Sequence, residues 1–98
     1  MNREILYHAS IQREIREVLE YYGSLSPQLA DDFWDELNRA FQQVRKFPER
    51  CHFDPSGWRR YNLKRYPYHF LFRHNTSQVK VIVVRHDSRD PNYGSGRK

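Results

Sequence analysis

Residues 58–84 read WRRYNLKRYPYHFLFRHNTSQVKVIVV, and the rest of the chain is arranged around this stretch. Aromatic residues recur at every second position over 68–72, and five of the six residues in 79–84 are apolar. A period of two is typical of a β-strand, because successive side chains point to opposite faces of the sheet. Asn75, Thr76 and Ser77 separate the two runs and indicate a turn. The stretch therefore predicts a pair of adjacent strands.

The alternation also assigns the faces of these strands. A strand that is apolar on both faces is expected in the interior of a sheet, so residues 79–84 are predicted to form a central strand. One face of this strand carries Val79, Val81 and Val83, and the other carries Ile82 and Val84. The first strand carries Tyr68, Phe70 and Phe72 on one face and His69, Leu71 and Arg73 on the other.

Two amphipathic helices are predicted before these strands. The first follows a short strand at residues 3–7, takes Ser10 as its N-cap and stops at Gly23. Its apolar stripe consists of Ile11, Ile15, Val18, Leu19 and Tyr22, with Glu14 among the charged residues that face elsewhere. The second begins at Ser26 and Pro27 and ends at Pro48, because proline lacks the N–H that a further turn needs. Its apolar stripe consists of Ala30, Phe33, Leu37, Ala40, Phe41 and Val44.

A further strand is predicted in residues 58–66, before Pro67, and together these elements predict an α+β fold with the order β-α-α-β-β-β. The two helices form a hairpin that is expected to cover one face of a mainly antiparallel sheet. The other face is expected to stay partly open and to carry Arg, His and Tyr side chains. Residues 1–93 are expected to form a single domain, and residues 94–98 a flexible C-terminal tail.

Length and composition limit the class of protein. With 98 residues, the chain can build one small core. No apolar run approaches the ~18 residues of a membrane span, which favours a cytoplasmic protein. Cys51 is the one cysteine, so an internal disulfide and a cysteine-based zinc site are excluded. The histidines lack partners at metal-ligand spacing, and neither a metal nor a cofactor is expected.

The net charge of +5 is unevenly distributed. Residues 1–49 hold 6 Lys and Arg against 9 Asp and Glu, a net charge of −3, whereas residues 50–98 hold 11 against 3, a net charge of +8. A positive field concentrated in the sheet half favours a polyanionic partner, either a nucleic acid or an acidic protein surface. The alternative is a solvated surface that keeps the chain soluble.

The basic half supplies the candidate target-binding residues. Aromatic rings that lie between cationic side chains suit stacking on bases, and here Trp58 and Tyr66 are the candidates for that role. The cationic candidates are Arg59, Arg60, Lys64, Arg65, Arg73 and Arg85.

Four segments, taken in order, resemble a known family. They are Tyr21 and Tyr22, FPE at 47–49, RYNLKRYPY at 60–68 and HDSRDPNY at 86–93. Between Leu6 and Tyr93 the chain resembles the RelE/ParE superfamily of toxins from type II toxin–antitoxin systems, the plasmid stabilisation type. The resemblance implies the RelE/ParE-like fold and a growth-inhibiting toxin. It also implies a hetero-oligomer with a cognate antitoxin, encoded by an adjacent gene, that neutralises the toxin.

The resemblance leaves two activities open. RelE-like members are ribonucleases that cut messenger RNA in the ribosomal A site, whereas ParE-like members inhibit DNA gyrase by binding. Here His69 occupies the position of one RelE-type catalytic arginine, Asp87 that of a second, and Tyr93 that of the terminal tyrosine. A developing phosphorane needs cations at its oxygens, so the loss of both arginines favours ParE-like inhibition of gyrase.

A ribosome-dependent messenger RNA endonuclease is the alternative. His69 and His86 would share the acid and base roles, Arg65 and Arg89 would hold the phosphate, and Tyr93 would contact a base. This requires the cationic residues and the two histidines to lie together on one exposed surface. Each residue also has a structural interpretation: strand-end hydrogen bonds for the histidines, an ion pair for Arg89, and packing on the hairpin for Tyr93. A third hypothesis is an inactive basic binding module.

The antitoxin contacts are predicted at large aromatic residues, because such residues often anchor interfaces. Trp34 lies off the apolar stripe of the second helix, and Trp58 and Tyr66 flank the basic segment. We also expect the antitoxin to be acidic where it crosses the basic half, because complementary charge sets the register of a complex.

Overall fold

The computed structural model describes residues 3–98, so the first two residues of the predicted domain lie outside the described part. It has the predicted order of elements, two helices between one strand and three others. The elements are β1 (Glu4–Tyr7), α1 (Ile11–Leu25), α2 (Pro27–Lys46), a 3₁₀ turn (Pro48–Arg50), β2 (Arg59–Asn62), β3 (Tyr68–His74) and β4 (Gln78–His86).

The four strands form one mixed sheet in the order β1-β4-β3-β2. The pairs β2–β3 and β3–β4 are antiparallel, and β1 runs parallel to β4. The long connection that this parallel pair requires is the helical hairpin itself. The predictions of a mainly antiparallel sheet and of a central strand at residues 79–84 are confirmed.

A bulge in β4 changes the predicted faces of that strand. Leu71 pairs with Val83 and Phe72 with Val81, so Ile82 has no partner in β3. An extra residue shifts the alternation by one position. Val84 therefore joins the core beneath the helices, and the assignment of Val83 to the same face as Val79 and Val81 is wrong.

The helical hairpin differs from prediction at one boundary. The prediction that α1 stops at Gly23 is wrong, since the helix continues to Leu25. A glycine inside a helix costs only about 1 kcal/mol relative to alanine, which packing on the sheet can offset. Ser26 ends α1 through its N–H, which donates to the Tyr22 carbonyl, and it caps α2 by accepting from the Gln28 N–H at 3.2 Å. The Ser10 side chain makes no capping hydrogen bond, although α1 does begin at Ile11.

The core lies between the hairpin and one face of the sheet. Each large apolar side chain buried there contributes roughly 1.5–3 kcal/mol. The residues of the predicted α2 stripe are buried, except for Ala30, which is half-buried. In α1, Ile11 and Val18 are also buried. The sheet contributes Phe70, Phe72, Val79, Val81 and Val84.

The other face of the sheet is covered by residues 87–98, which we call the C-terminal segment. The carbonyl of Ser95 accepts a hydrogen bond from Trp58 Nε1 at 2.8 Å, and Arg97 Nη1 donates to the carbonyl of Ile82 at 3.2 Å. Gly94 has a φ of +78°, and a Cβ atom there would lie 2.6 Å from Val83 Cγ2. The expectation of a partly open face is therefore wrong. Ser95 and Arg97, placed by the sequence in a flexible tail, hydrogen-bond to Trp58 and to Ile82 of the sheet.

Candidate functional site

His69 lies at the centre of a buried polar network under the C-terminal segment. Its side chain is 2% exposed, and Arg85 Nε donates to its Nε2 at 2.8 Å. Because a guanidinium can only donate, Nε2 is an acceptor, and the ring proton lies on Nδ1, which donates to Asp87 Oδ1 at 2.8 Å. Burial, together with the charges of Arg60 and Arg85, lowers the pKa of His69 against the opposing effect of Asp87. The imidazole is held neutral with both nitrogens occupied.

Arg85 connects this network to the C-terminal segment. Its Nη1 donates to the carbonyls of Pro91 and Tyr93 at 2.9 and 2.8 Å, and its Nη2 lies 3.7 Å from Asp54 Oδ1. Burial raises the pKa of Asp54, but hydrogen bonds from Ser56 and Arg60 and the charge of Arg85 outweigh burial and lower it overall. The buried guanidinium thus has an ionised partner inside the protein.

Three of the six predicted target-binding cations are therefore committed to internal contacts. Arg85 is 4% exposed. Arg59 Nη1 donates to the Cys51 carbonyl at 2.7 Å, and Arg60 lies 3.2 Å from Asp54 Oδ1. The sequence does not reveal these commitments, because the acceptors on Cys51, Asp54 and His69 lie 8, 6 and 16 residues away. The other three, Lys64, Arg65 and Arg73, are exposed.

Glu14 is the important residue that the sequence interpretation missed. It is 4% exposed, and its Oε1 accepts from the Val84 N–H at 3.1 Å. Its Oε2 accepts from the Tyr93 hydroxyl at 2.8 Å and forms an ion pair with Arg97 at 2.8 Å. The pairing of β1 with β4 ends at Val81. Beyond that point, Glu14 accepts from the Val84 N–H and Arg97 donates to the Ile82 carbonyl, so these two side chains satisfy backbone groups of the uncovered edge. A signal existed in the sequence. Glu14 lies three residues after Ile11 and four before Val18, which places it on the buried face of α1.

His86, Arg89 and Tyr93 line one small pocket at the rim of the sheet, with a volume of about 160 Å³. Glu14 and Glu17 line the same pocket, which makes it unfavourable for a phosphate. The Arg89 guanidinium lies 4.0 Å from the centre of the Tyr93 ring, and His86 Nδ1 accepts from the Ser88 N–H at 3.0 Å.

The expected single cationic surface is therefore not formed. Arg65 lies beside α2, where its Nε donates to Glu36 Oε1 at 3.0 Å. His69 is sealed under the C-terminal segment, and His86 and Arg89 lie in the rim pocket. The prediction that these four residues share one exposed surface is wrong, because β3 directs His69 into the face that the C-terminal segment covers.

A larger apolar groove lies between α1, α2 and the end of β1, and we call it the hairpin groove. Its volume is about 820 Å³. Trp34, predicted to be an interface residue, lines it and is 41% exposed. The rim is polar, with Gln12, Arg16, Asp31 and Asn38. The remaining apolar lining is formed by Tyr7, Ala9, Ile11, Ile15, Leu19, Ala30 and Phe41.

The other two predicted aromatic contacts have different surroundings. Tyr66 is 9% exposed in the core, where its hydroxyl donates to the Leu29 carbonyl at 3.2 Å, so its expected availability for stacking is wrong. Trp58 is half-buried and holds Ser95 of the C-terminal segment. Within residues 3–98, no group of three His, Cys, Asp or Glu side chains is placed to hold a metal ion. No helix in the same range is long and apolar enough to cross a membrane.

Comparisons with known proteins extend this description. A family model described as the ParE toxin of the type II toxin–antitoxin system parDE matches residues 5–91. A solved structure of the chromosomal ParDE toxin–antitoxin system from P. aeruginosa is similar, with a TM-score of 0.73. The two sequences are 15% identical, and the match covers 86% of this chain and 95% of that chain. At this level of identity, the similarity concerns the fold alone. No curated protein sequence matches significantly.

Proposed function

Because the chain belongs to the ParE toxin family of type II toxin–antitoxin systems, we propose that it inhibits DNA gyrase by binding when free and is neutralised by an antitoxin in the hairpin groove. The observation that carries the choice of a binding inhibitor is the internal pairing of the residues that a nuclease would use. The antitoxin proposal depends on a different feature, the unfilled apolar groove. The two parts are therefore tested separately.

The polar network argues against ribonuclease chemistry. A general base must reach the proton that it removes, but His69 is sealed and has both nitrogens bonded. The Tyr93 hydroxyl donates to Glu14, and Arg85 holds backbone carbonyls. His86 and Arg89 are accessible, but two carboxylates share their pocket, and the exposed Arg65 lies apart from them and is paired with Glu36. A phosphate would meet little net positive charge there, which favours a toxin that acts by binding.

The gyrase proposal predicts that His86 and Arg89, the members of the nuclease set in the rim pocket, are dispensable. We expect the His86→Ala/Arg89→Ala variant to inhibit gyrase supercoiling within about twofold of the unchanged protein, since surface substitutions alter stability by about 0.5 kcal/mol or less. The measurement is plasmid supercoiling with purified gyrase and toxin, and the control is transcript mapping in a translating extract. Cleavage at a fixed codon phase that this variant abolishes would establish the endonuclease instead. Absence of both effects, with no growth arrest on expression, would leave the inactive binding module.

The hairpin groove has the properties of a helix-binding groove. Its walls are apolar and its rim is polar, the arrangement by which grooves bind the apolar face of an amphipathic helix. Trp34 is a large aromatic residue that lies partly exposed at this groove. We therefore assign the groove to an apolar, helix-forming segment of the antitoxin.

Removal of the Trp34 ring tests this assignment. An aromatic interface anchor typically contributes about 2 kcal/mol or more, so Trp34→Ala is expected to weaken antitoxin binding roughly 30-fold. The measurement is titration calorimetry with the antitoxin encoded by the adjacent gene. Phe53→Ala is the matched control, because Phe53 is 62% exposed and lies outside the groove. The assignment fails if the control weakens binding as much as Trp34→Ala does.

A further inference from the structure

A second groove, between α2 and β2, has the opposite chemistry, and we call it the cationic groove. Its volume is about 810 Å³. One acidic residue, Glu36, lines it. The cationic side chains come from four separate parts of the chain, so no single segment of sequence reveals the whole cluster. They are Arg39 of α2, Arg50 of the 3₁₀ turn, Arg60 of β2, and Lys64 and Arg65 of the loop that follows β2.

Most of this positive charge has no internal partner. Glu36 accepts from the N–H groups of Lys64 and Arg65 at 2.7 and 3.2 Å and from Arg65 Nε at 3.0 Å, so it neutralises Arg65. Burial is the largest single effect on the pKa of Glu36 and raises it. Hydrogen bonds from Arg65 and from the two N–H groups together outweigh burial and lower the pKa overall. Arg60 is paired with Asp54. In the described chain, Arg39, Arg50 and Lys64 form no ion pair.

An exposed ring lies beside these cations. Phe47 is 41% exposed and lines the groove, and the Arg50 guanidinium lies 4.0 Å from the centre of its ring. Tyr61 is half-buried on the opposite wall, and the amide side chains of Gln43 and Asn62 also line the groove. A positive groove with aromatic platforms is the arrangement by which proteins bind single strands, because phosphates meet cations and bases stack on rings.

We propose that the cationic groove binds the sugar–phosphate backbone of a single nucleic acid strand. A protein segment would fit it less well, since the outer edge of β2 is already occupied at Arg59 and Arg60. Phe53 and Arg59 form a bridge there, and the Arg60 N–H donates to the His52 carbonyl at 3.0 Å, which leaves little of this four-residue strand for an added strand to pair with. Ala40 and Val44 at the groove are 2% and 1% exposed, so the α2 wall offers little apolar surface to a helix.

The proposal goes beyond inhibition of gyrase and neutralisation by an antitoxin, and its test needs neither partner. The probes are short fluorescent single-stranded oligonucleotides, one of DNA and one of RNA, titrated with the free full-length chain over a range of salt concentrations. Arg39→Gln/Lys64→Gln is expected to bind about tenfold more weakly. Each phosphate contact contributes about 0.7 to the slope of log K against log salt, so the slope should fall by about 1.4.

The matched control is Arg13→Gln/Lys98→Gln, which removes the same net charge from exposed residues outside the groove. It is expected to bind within about threefold of the unchanged chain, and Arg39→Lys/Lys64→Arg is expected to retain full binding. Equal losses in the two glutamine variants would overturn the proposal, because attraction would then depend on net charge alone. Preferential binding of polyglutamate over both oligonucleotides would also overturn it, in favour of an acidic protein partner.

Discussion

Glu14→Ala is expected to destabilise the protein by about 3–5 kcal/mol, the usual cost of removing one partner from a buried ion pair. The substitution would leave the Arg97 guanidinium without its carboxylate, and the Val84 N–H and the Tyr93 hydroxyl without their acceptor. The same loss would free the edge of β4 that β1 does not cover. Unfolding in urea, followed by circular dichroism, measures the change.

Glu17→Ala is the matched control for this prediction. Glu17 lies on the same helix but is exposed, so its removal should change stability by no more than about 0.5 kcal/mol. Glu14→Gln retains the shape and one acceptor, and we expect an intermediate loss of about 1–3 kcal/mol. If Glu14→Ala unfolds at the same urea concentration as Glu17→Ala, the carboxylate does not hold the edge of β4.

Arg85→Ala is expected to destabilise the protein by a similar amount, about 3–5 kcal/mol. The guanidinium donates to His69 Nε2 and to the carbonyls of Pro91 and Tyr93, and its charge faces Asp54. Without it, the C-terminal segment loses two of its hydrogen bonds to the sheet. The imidazole also loses the donor that fixes its tautomer.

The measurement for Arg85→Ala is again urea unfolding, combined with tryptophan emission of the folded state. The Trp58 indole contacts the carbonyl of Ser95, so release of the C-terminal segment should shift the emission to longer wavelength. Arg73→Ala is the control, because Arg73 is exposed on the neighbouring strand and has one weak contact, with the Trp58 ring at 5.8 Å. Equal stability of the two variants would show that the network is not structural.

Much of the fold was predictable from local patterns in the sequence. Ser26 and Pro27 marked the start of α2 correctly, and its stripe of apolar residues identified the face that packs on the sheet. The apolar run at 79–84 identified the central strand, because a strand without a polar face has to be covered on both sides. The resemblance to RelE/ParE toxins is also confirmed, by the family model over residues 5–91.

The site was less predictable, because its residues carry no local signal of how they are paired. The assignment of His69, His86, Arg89 and Tyr93 to catalysis stays a prediction for the nuclease alternative. The sequence shows their types but not that His69 is sealed or that Tyr93 bonds to Glu14. Trp34 was found by its position off the helix stripe, a local feature, and it does lie at a groove.

The sequence alone determined the helices, the strands, their order and the side of each helix that meets the sheet. These follow from periodicity and capping, which act over a few residues. The tertiary structure alone decided which polar groups are buried, since Glu14 meets Val84 across 70 residues and Arg85 meets His69 across a strand pair. A bulge at Ile82 and a C-terminal segment that folds back on the sheet bring these groups together. Contacts of this kind depend on where distant segments lie, and no short stretch of sequence records that.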